Sequence, residues 1–261
     1  MTILIVVDPD TVLLIDINSI CMIRSIVENQ LKPREEYIFG FADLQGLLPK
    51  RFSNFRFGIS IGKRLNDSII DSLTDGPTLE YYNHYKSVNK ELSELTEKIH
   101  NDLHRNSINS LPVVPTIALG SIQNKKYLKS LTYEISHKMV ATRAGLGWIG
   151  KTDLLISKAY GPRLRLVTIL LDQDPGCNLK PIEKSHCGEC NVCVIKCPAK
   201  AASGLKWNIN THRDLFFDAF KCRNKCGELA KQKLNVNERI CGLCVSVCPV
   251  GKVRKHPAEN I

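Results

Sequence analysis

The sequence predicts an α/β domain over residues 1–174 and a small cysteine-rich domain over residues 175–261. Three observations predict it. Apolar runs of strand length alternate with amphipathic helical stretches as far as Leu171. A segment of Asp, Pro, Gly and Asn then marks a linker over residues 172–186. Beyond it, elements become short, and ten of the eleven cysteines fall between Cys177 and Cys248.

In chain order, residues 3–7 and 12–15 flank Asp8-Pro9-Asp10 and read as two strands around a turn. Asn18 or Ser19 caps a helix whose apolar face includes Ile20, Ile23 and Val27, and Pro33 stops it. Residues 37–41 and 57–61 read as buried strands. Over residues 87–104, Val88, Leu92, Leu95, Ile99 and Leu103 recur every three or four positions, with Glu91, Glu94 and Glu97 on the wet side. This predicts a long helix. Residues 128–141 predict a second helix, with Leu128, Leu131 and Ile135 on one stripe. It runs into the glycine-rich Ala144-Gly-Leu-Gly-Trp-Ile-Gly-Lys151. Residues 154–157 and 164–171 read as core strands.

The chain is 43% hydrophobic and 24% charged, as in an ordinary soluble globular protein. No apolar run reaches membrane-spanning length, and Asp8 and Asp10 interrupt an N-terminus that lacks a basic start. The expectation is a cytoplasmic protein with no membrane partner. In a reducing compartment, clustered cysteines mean metal binding or redox chemistry rather than a disulfide framework.

The first cysteine group is Cys187-x2-Cys190-x2-Cys193-x3-Cys197-Pro198, the spacing of a bacterial ferredoxin. Three cysteines within seven residues can wrap one cubane, while the fourth reaches the other cluster. The second group, Cys241-x2-Cys244-x3-Cys248-Pro249, is one cysteine short. Cys222 supplies the missing ligand, with Cys226 its rival. A ferredoxin-like domain with two [4Fe-4S] clusters follows. Cys187, Cys190, Cys193 and Cys248 hold one, and Cys197, Cys222, Cys241 and Cys244 hold the other. Zinc sites usually draw on two separated cysteine or histidine pairs, a poor match to this pattern. Cys21 and Cys177 read as bystanders.

The formal net charge is +10. Each cluster with its thiolates carries about −2, which brings the total to roughly +6. The surplus is dense over residues 221–255, where Lys221, Arg223, Lys225, Lys231, Lys233, Arg239, Lys252, Arg254 and Lys255 face only Glu228 and Glu238. This reads as a solvated face that offsets cluster charge. The alternative is a patch for RNA or an acidic redox partner.

The Ala144–Lys151 segment, the Leu154-Leu-Ile-Ser157 strand behind it and the first cysteine run together resemble the epoxyqueuosine reductase family. These are cobalamin- and iron–sulfur-dependent reductases related to reductive dehalogenases. The resemblance extends to Phe39-Gly-Phe-Ala-Asp-Leu44 and to the helix after Tyr85. It implies that the N-terminal domain is corrinoid-binding and that cobalamin lies base-off between the two domains. It also implies reduction of the epoxide of epoxyqueuosine in a tRNA anticodon to an alkene. Gly145, Gly147, Trp148, Gly150 and Lys151 would then line the corrinoid pocket.

Three departures stand against the family pattern. The position of its proton-donating Asp, twelve residues before Arg143, is Leu131. Its Asp-Tyr-His ahead of the long helix is here Asn83-His84-Tyr85. The helical repeat extension by which many members hold tRNA has no counterpart in the thirteen residues after Cys248. Tyr85 or His137 is left as the proton donor. The implied partners are a low-potential electron donor of ferredoxin or flavodoxin type, and tRNA. Two alternatives remain: an electron carrier that reductively activates the corrinoid of another protein, and a binding module without turnover.

Overall fold

The computed structural model describes residues 2–8, 11–113, 115, 125–176 and 180–252. Cys177, Arg254 and Lys255, and the side chains of Asn18 and Ser19, lie outside the described residues. The chain opens with a hairpin, β1 (Thr2–Asp8) and β2 (Thr11–Asp16), and continues into α1 (Ile17–Gln30). β3 (Tyr37–Asp43) and β4 (Phe57–Arg64) follow, then the short α2 (Asp67–Asp71), the long α3 (Leu79–Arg105) and β5 (Ser110–Val113). Next come α4 (Lys125–Ser130), α5 (His137–Arg143), the hairpin β6 (Gly147–Ile149) and β7 (Leu155–Ser157), and β8 (Leu164–Leu171). The cysteine-rich segment holds α6 (Val192–Ile195), α7 (Arg213–Phe216), α8 (Ala219–Leu234) and α9 (Leu243–Ser246).

The central sheet has the order β3-β4-β8-β5 and is antiparallel throughout, within a mixed α/β fold. Alternation along β8 divides the core. Val167, Ile169 and Leu171 enter one apolar layer with Ile23 and Val27 of α1 and Leu92 and Ile99 of α3. Leu164 and Leu170 enter the other with Val140 and Ala141 of α5. The cysteine-rich segment joins both layers: Ala230, Ile240 and Val245 pack into the first, and Ala201, Phe216 and Phe217 into the second. Among the described residues no helix is long and apolar enough to cross a membrane.

Two predicted helices differ from the structure. The long one starts at Leu79, eight residues before the predicted start, because Thr78 Oγ1 accepts the Tyr81 N–H at 3.1 Å and Tyr81 is buried. Asn83-His84-Tyr85 therefore lies inside the helix, not ahead of it. The second predicted helix is two. After α4, Leu131 takes a left-handed φ of 51°, and Arg213 takes the carbonyls of Ser130 (2.7 Å) and Leu131 (2.9 Å). Ser136 then caps α5 through the Met139 N–H. A tertiary contact from Arg213 thus overrides the apolar stripe. β5 and α8 carry no strong periodicity and are additions to the sequence reading.

Candidate redox site

The glycine-rich segment folds as the β6–β7 hairpin and acts as a bracket for the first cysteine loop. Trp148 Nε1 donates to Cys187 Sγ at 3.3 Å. Lys151, 2% exposed, donates from Nζ to the Cys190 carbonyl at 3.0 Å and to Asn191 Oδ1 at 2.7 Å. The Thr152 hydroxyl hydrogen-bonds Cys193. Three residues of one turn region thus reach three successive cysteines. Gly147 is required in the hairpin, since a Cβ there would sit 2.2 Å from the Ile156 carbonyl oxygen. Backbone also meets backbone beside Cys248-Pro249. Gly251, at φ +80°, would place a Cβ 2.1 Å from the Tyr160 carbonyl carbon.

Electrostatic proximity groups Cys187, Cys190, Cys193 and Cys248, and ties Cys244 to thiols of both sets. Burial pushes the Cys193 thiol up, with Cys187 and Cys190 adding to it. Burial likewise raises Cys248 to about 11, and Cys193, Cys187 and Cys190 contribute. Cys244 is raised by burial and then by Cys241, Cys222, Cys193 and Cys197. In the second set, Cys222 and Cys226 stand on one face of α8 with sulfurs 3.9 Å apart. Hydrogen bonds to Cys222 and Cys241 hold the proton on Cys226. Cys222 is lowered, and Cys241 falls to about 7. Among the described residues no three His, Cys, Asp or Glu side chains meet at the spacing of a single ion. Cys21 is exposed and apart from both sets.

A cavity of about 420 Å³ opens beside the second set, with Cys222 and Cys226 in its wall. Aromatic faces dominate its lining: Tyr82, Tyr85, Tyr127, Tyr133 and Phe217. Tyr127 and Tyr133 stack at 4.5 Å, and Tyr133 is pushed up by burial and by its hydrogen bond to Tyr127. Lys86, Arg213, Arg223 and Arg239 supply cations.

The sequence-selected residues divide around this cavity. Tyr85 lines it. The Tyr85 hydroxyl accepts from Arg165 Nη2 at 3.2 Å, and the Arg165 guanidinium lies 4.3 Å over the ring. Leu131 lines it too. His137 sits elsewhere, with Nδ1 2.9 Å from Thr168 Oγ1 at the start of α5. Gly145, Gly147, Trp148, Gly150 and Lys151 are not in its lining; Trp148 and Lys151 turn to the first cysteine loop instead. Asp153, which sequence reasoning missed, is in the wall. Its Oδ2 is 2.5 Å from Lys138 Nζ. Its signal was faint: a single acid between Thr152 and an apolar strand.

The chain is 32% identical over 177 residues to an epoxyqueuosine reductase of Lactococcus garvieae, a match covering 66% of the chain and 42% of that relative. It is 39% identical over 143 residues to an epoxyqueuosine reductase of Synechocystis, covering 53% of the chain and 46% of the relative. These matches support the resemblance to the epoxyqueuosine reductase family. The chain spans less than half the length of these relatives. No family model matches. The fold agrees with an epoxyqueuosine reductase solved with a tRNA-Tyr epoxyqueuosine-modified stem loop. There the TM-score is 0.57 at 17% identity, over 92% of the chain and 68% of that structure. A catabolic reductive dehalogenase gives 0.59 at 14% identity, over 83% of the chain and 30% of that structure. Leu131 lines the cavity, and Asp153 brings a carboxylate to it from another loop.

Proposed function

We propose that the chain is an iron–sulfur, corrinoid-dependent reductase that acts on epoxyqueuosine in tRNA. The observation that carries this reading is the position of Cys222: it belongs to a cysteine set and to the wall of an aromatic, cation-rich cavity. The donor chemistry fits two [4Fe-4S] clusters, since the cysteine-rich segment offers nine thiols for eight ligand positions and soft sulfur ligands suit iron–sulfur centres. Cys187, Cys190, Cys193 and Cys248 would hold one, and Cys197, Cys222, Cys241 and Cys244 the other. The tyrosine faces fit a flat macrocycle, and Asn89 and Arg213 fit its amide-bearing edge. When bound, the clusters supply single electrons and the cobalt centre supplies the reducing power for C–O cleavage.

The remaining chemistry belongs to the chain. Turning an epoxide into an alkene consumes two electrons and two protons and releases water. Asp153, in the cavity wall with its Oδ2 2.5 Å from Lys138 Nζ, takes the part left open by Leu131. Tyr85, held by Arg165, orients the substrate from the opposite helix. Lys86, Arg213, Arg223 and Arg239 meet the RNA phosphates.

Anaerobic reconstitution tests the reading. About eight irons per chain, stoichiometric corrinoid and single-turnover conversion of an epoxyqueuosine-containing stem loop support it. Full iron loading with no corrinoid affinity would sink it. That outcome leaves the second reading, an electron carrier that activates another protein's corrinoid, which the apolar Leu131 in the wall favours.

A further inference from the structure

A second depression, of about 670 Å³, lies over the first cysteine loop. Lys158, Lys180 and Lys184 line it, together with His186, and Ile209 stands half exposed among them. Among the described residues that line it, Glu183 is the single acid, and its Oε1 is 3.5 Å from Arg143 Nη1. The depression is therefore cationic with an apolar spot. Its depth leads to sulfur. The His186 ring stacks on Trp148 at 5.0 Å, and Trp148 Nε1 is 3.3 Å from Cys187 Sγ. One indole thus separates the depression from a thiol of the first set. Around that set, Cys190 is exposed, and Ile195 and Leu205 remain 77% and 56% exposed.

We propose that this depression is the docking surface for a small, acidic, one-electron carrier protein. The proposal rests on the reading that the first cysteine set holds a cluster. Weak electron-transfer complexes are small and are steered by charge, so a cationic ring with an apolar centre suits a negatively charged carrier. Electron tunnelling falls steeply with distance, and the first set is the one with an exposed thiol. The redox balance is simple: the carrier is oxidised by one electron, the first centre is reduced by one, and no bond is made or broken. RNA is the weaker occupant, because the cavity has its own cations at Lys86, Arg213, Arg223 and Arg239 for a nucleotide that enters there.

The test uses the cluster-loaded full chain and, as probe, a reduced plant-type [2Fe–2S] ferredoxin of acidic charge. Complex affinity and the rate of cluster bleaching are measured for wild type and for the double variant Lys180→Glu, Lys184→Glu. The expected result is a loss of about tenfold in both quantities at low salt, and a wild-type rate that itself falls as salt rises. Reduction by dithionite, which needs no docking, stays at the wild-type rate and shows that the variant is folded and loaded. Lys158→Glu, on a different loop, gives a smaller loss in the same direction. Unchanged ferredoxin affinity and rate with dithionite reduction intact would overturn the docking surface and leave the reductase reading standing. Loss of stem-loop binding with unchanged ferredoxin kinetics would overturn it in favour of RNA. Failure of the wild-type chain to take up iron would overturn both.

Discussion

α6, which carries Cys193, has no buried residue, whereas α9, which carries Cys244, buries Leu243, Val245 and Ser246. The first cysteine set is held from outside by polar contacts from Trp148, Lys151 and Thr152. Of the second, the α9 segment that carries Cys244 is sunk into the apolar layer under α3 and keyed there by hydrogen bonds, while Cys197 and Cys222 pack against the other layer. Ser246 Oγ donates to the Leu73 carbonyl at 3.1 Å. The fully buried Arg163 reaches the Ser246 carbonyl (3.3 Å), Asp67 (3.1 Å) and Asp71 (2.5 Å). One set thus has an exposed thiol, Cys190. The other borders the cavity through Cys222.

The largest effect is expected at Arg163. Arg163→Met leaves the Ser246 carbonyl without its partner, and Asp67 and Asp71 with only Arg64 and Lys252, and should cost about 1–3 kcal/mol, read from denaturant unfolding. The second set should lose its iron well before the first as denaturant rises. Simultaneous loss from both would break the distinction between them. A smaller, local effect is expected on α8. Cys222→Ala should halve the iron content, and Cys226→Ala should leave it unchanged. The reverse result would transfer the ligand role to Cys226. The smallest effect is expected from Trp148→Phe, which keeps the ring stacked on His186 and removes the N–H donor. The first cluster's reduction potential should become more negative, because hydrogen bonds to sulfur favour the reduced state. Redox titration followed by electron paramagnetic resonance reads this. A shift in the second cluster instead would place the Trp148 contact on the wrong set.

Much of this was legible where side chains repeat. The apolar run of residues 164–171 and the stripe of Val88, Leu92, Leu95 and Ile99 mark the segments that the sheet and α3 bury. What the sequence hid depends on contacts between distant segments. The break after Ser130 comes from Arg213, some eighty residues on, and the start of α3 comes from a cap at Thr78. The Gly-Leu-Gly-Trp motif was recognisable as important, but its partner was not. Glycine and tryptophan suit a macrocycle or a cysteine loop equally well, and only the fold directs Trp148 to Cys187. Asp153 was invisible for the same reason: nothing in its neighbours announces the cavity that it faces.

During synthesis, Cys187, Cys190 and Cys193 leave the ribosome well ahead of Cys248, Cys193 by 55 residues, although Cys248 is the thiol gathered with them in the folded chain. Cys197 likewise waits for Cys241 and Cys244. If these are the ligand sets, the first centre cannot be completed before Cys248 is made, nor the second before Cys244. The β6–β7 bracket emerges before any of these thiols, so the first loop meets its hydrogen-bond donors at once. A ribosome that stalls between residues 197 and 244 would release a chain with open thiols and no centre, exposed to oxygen.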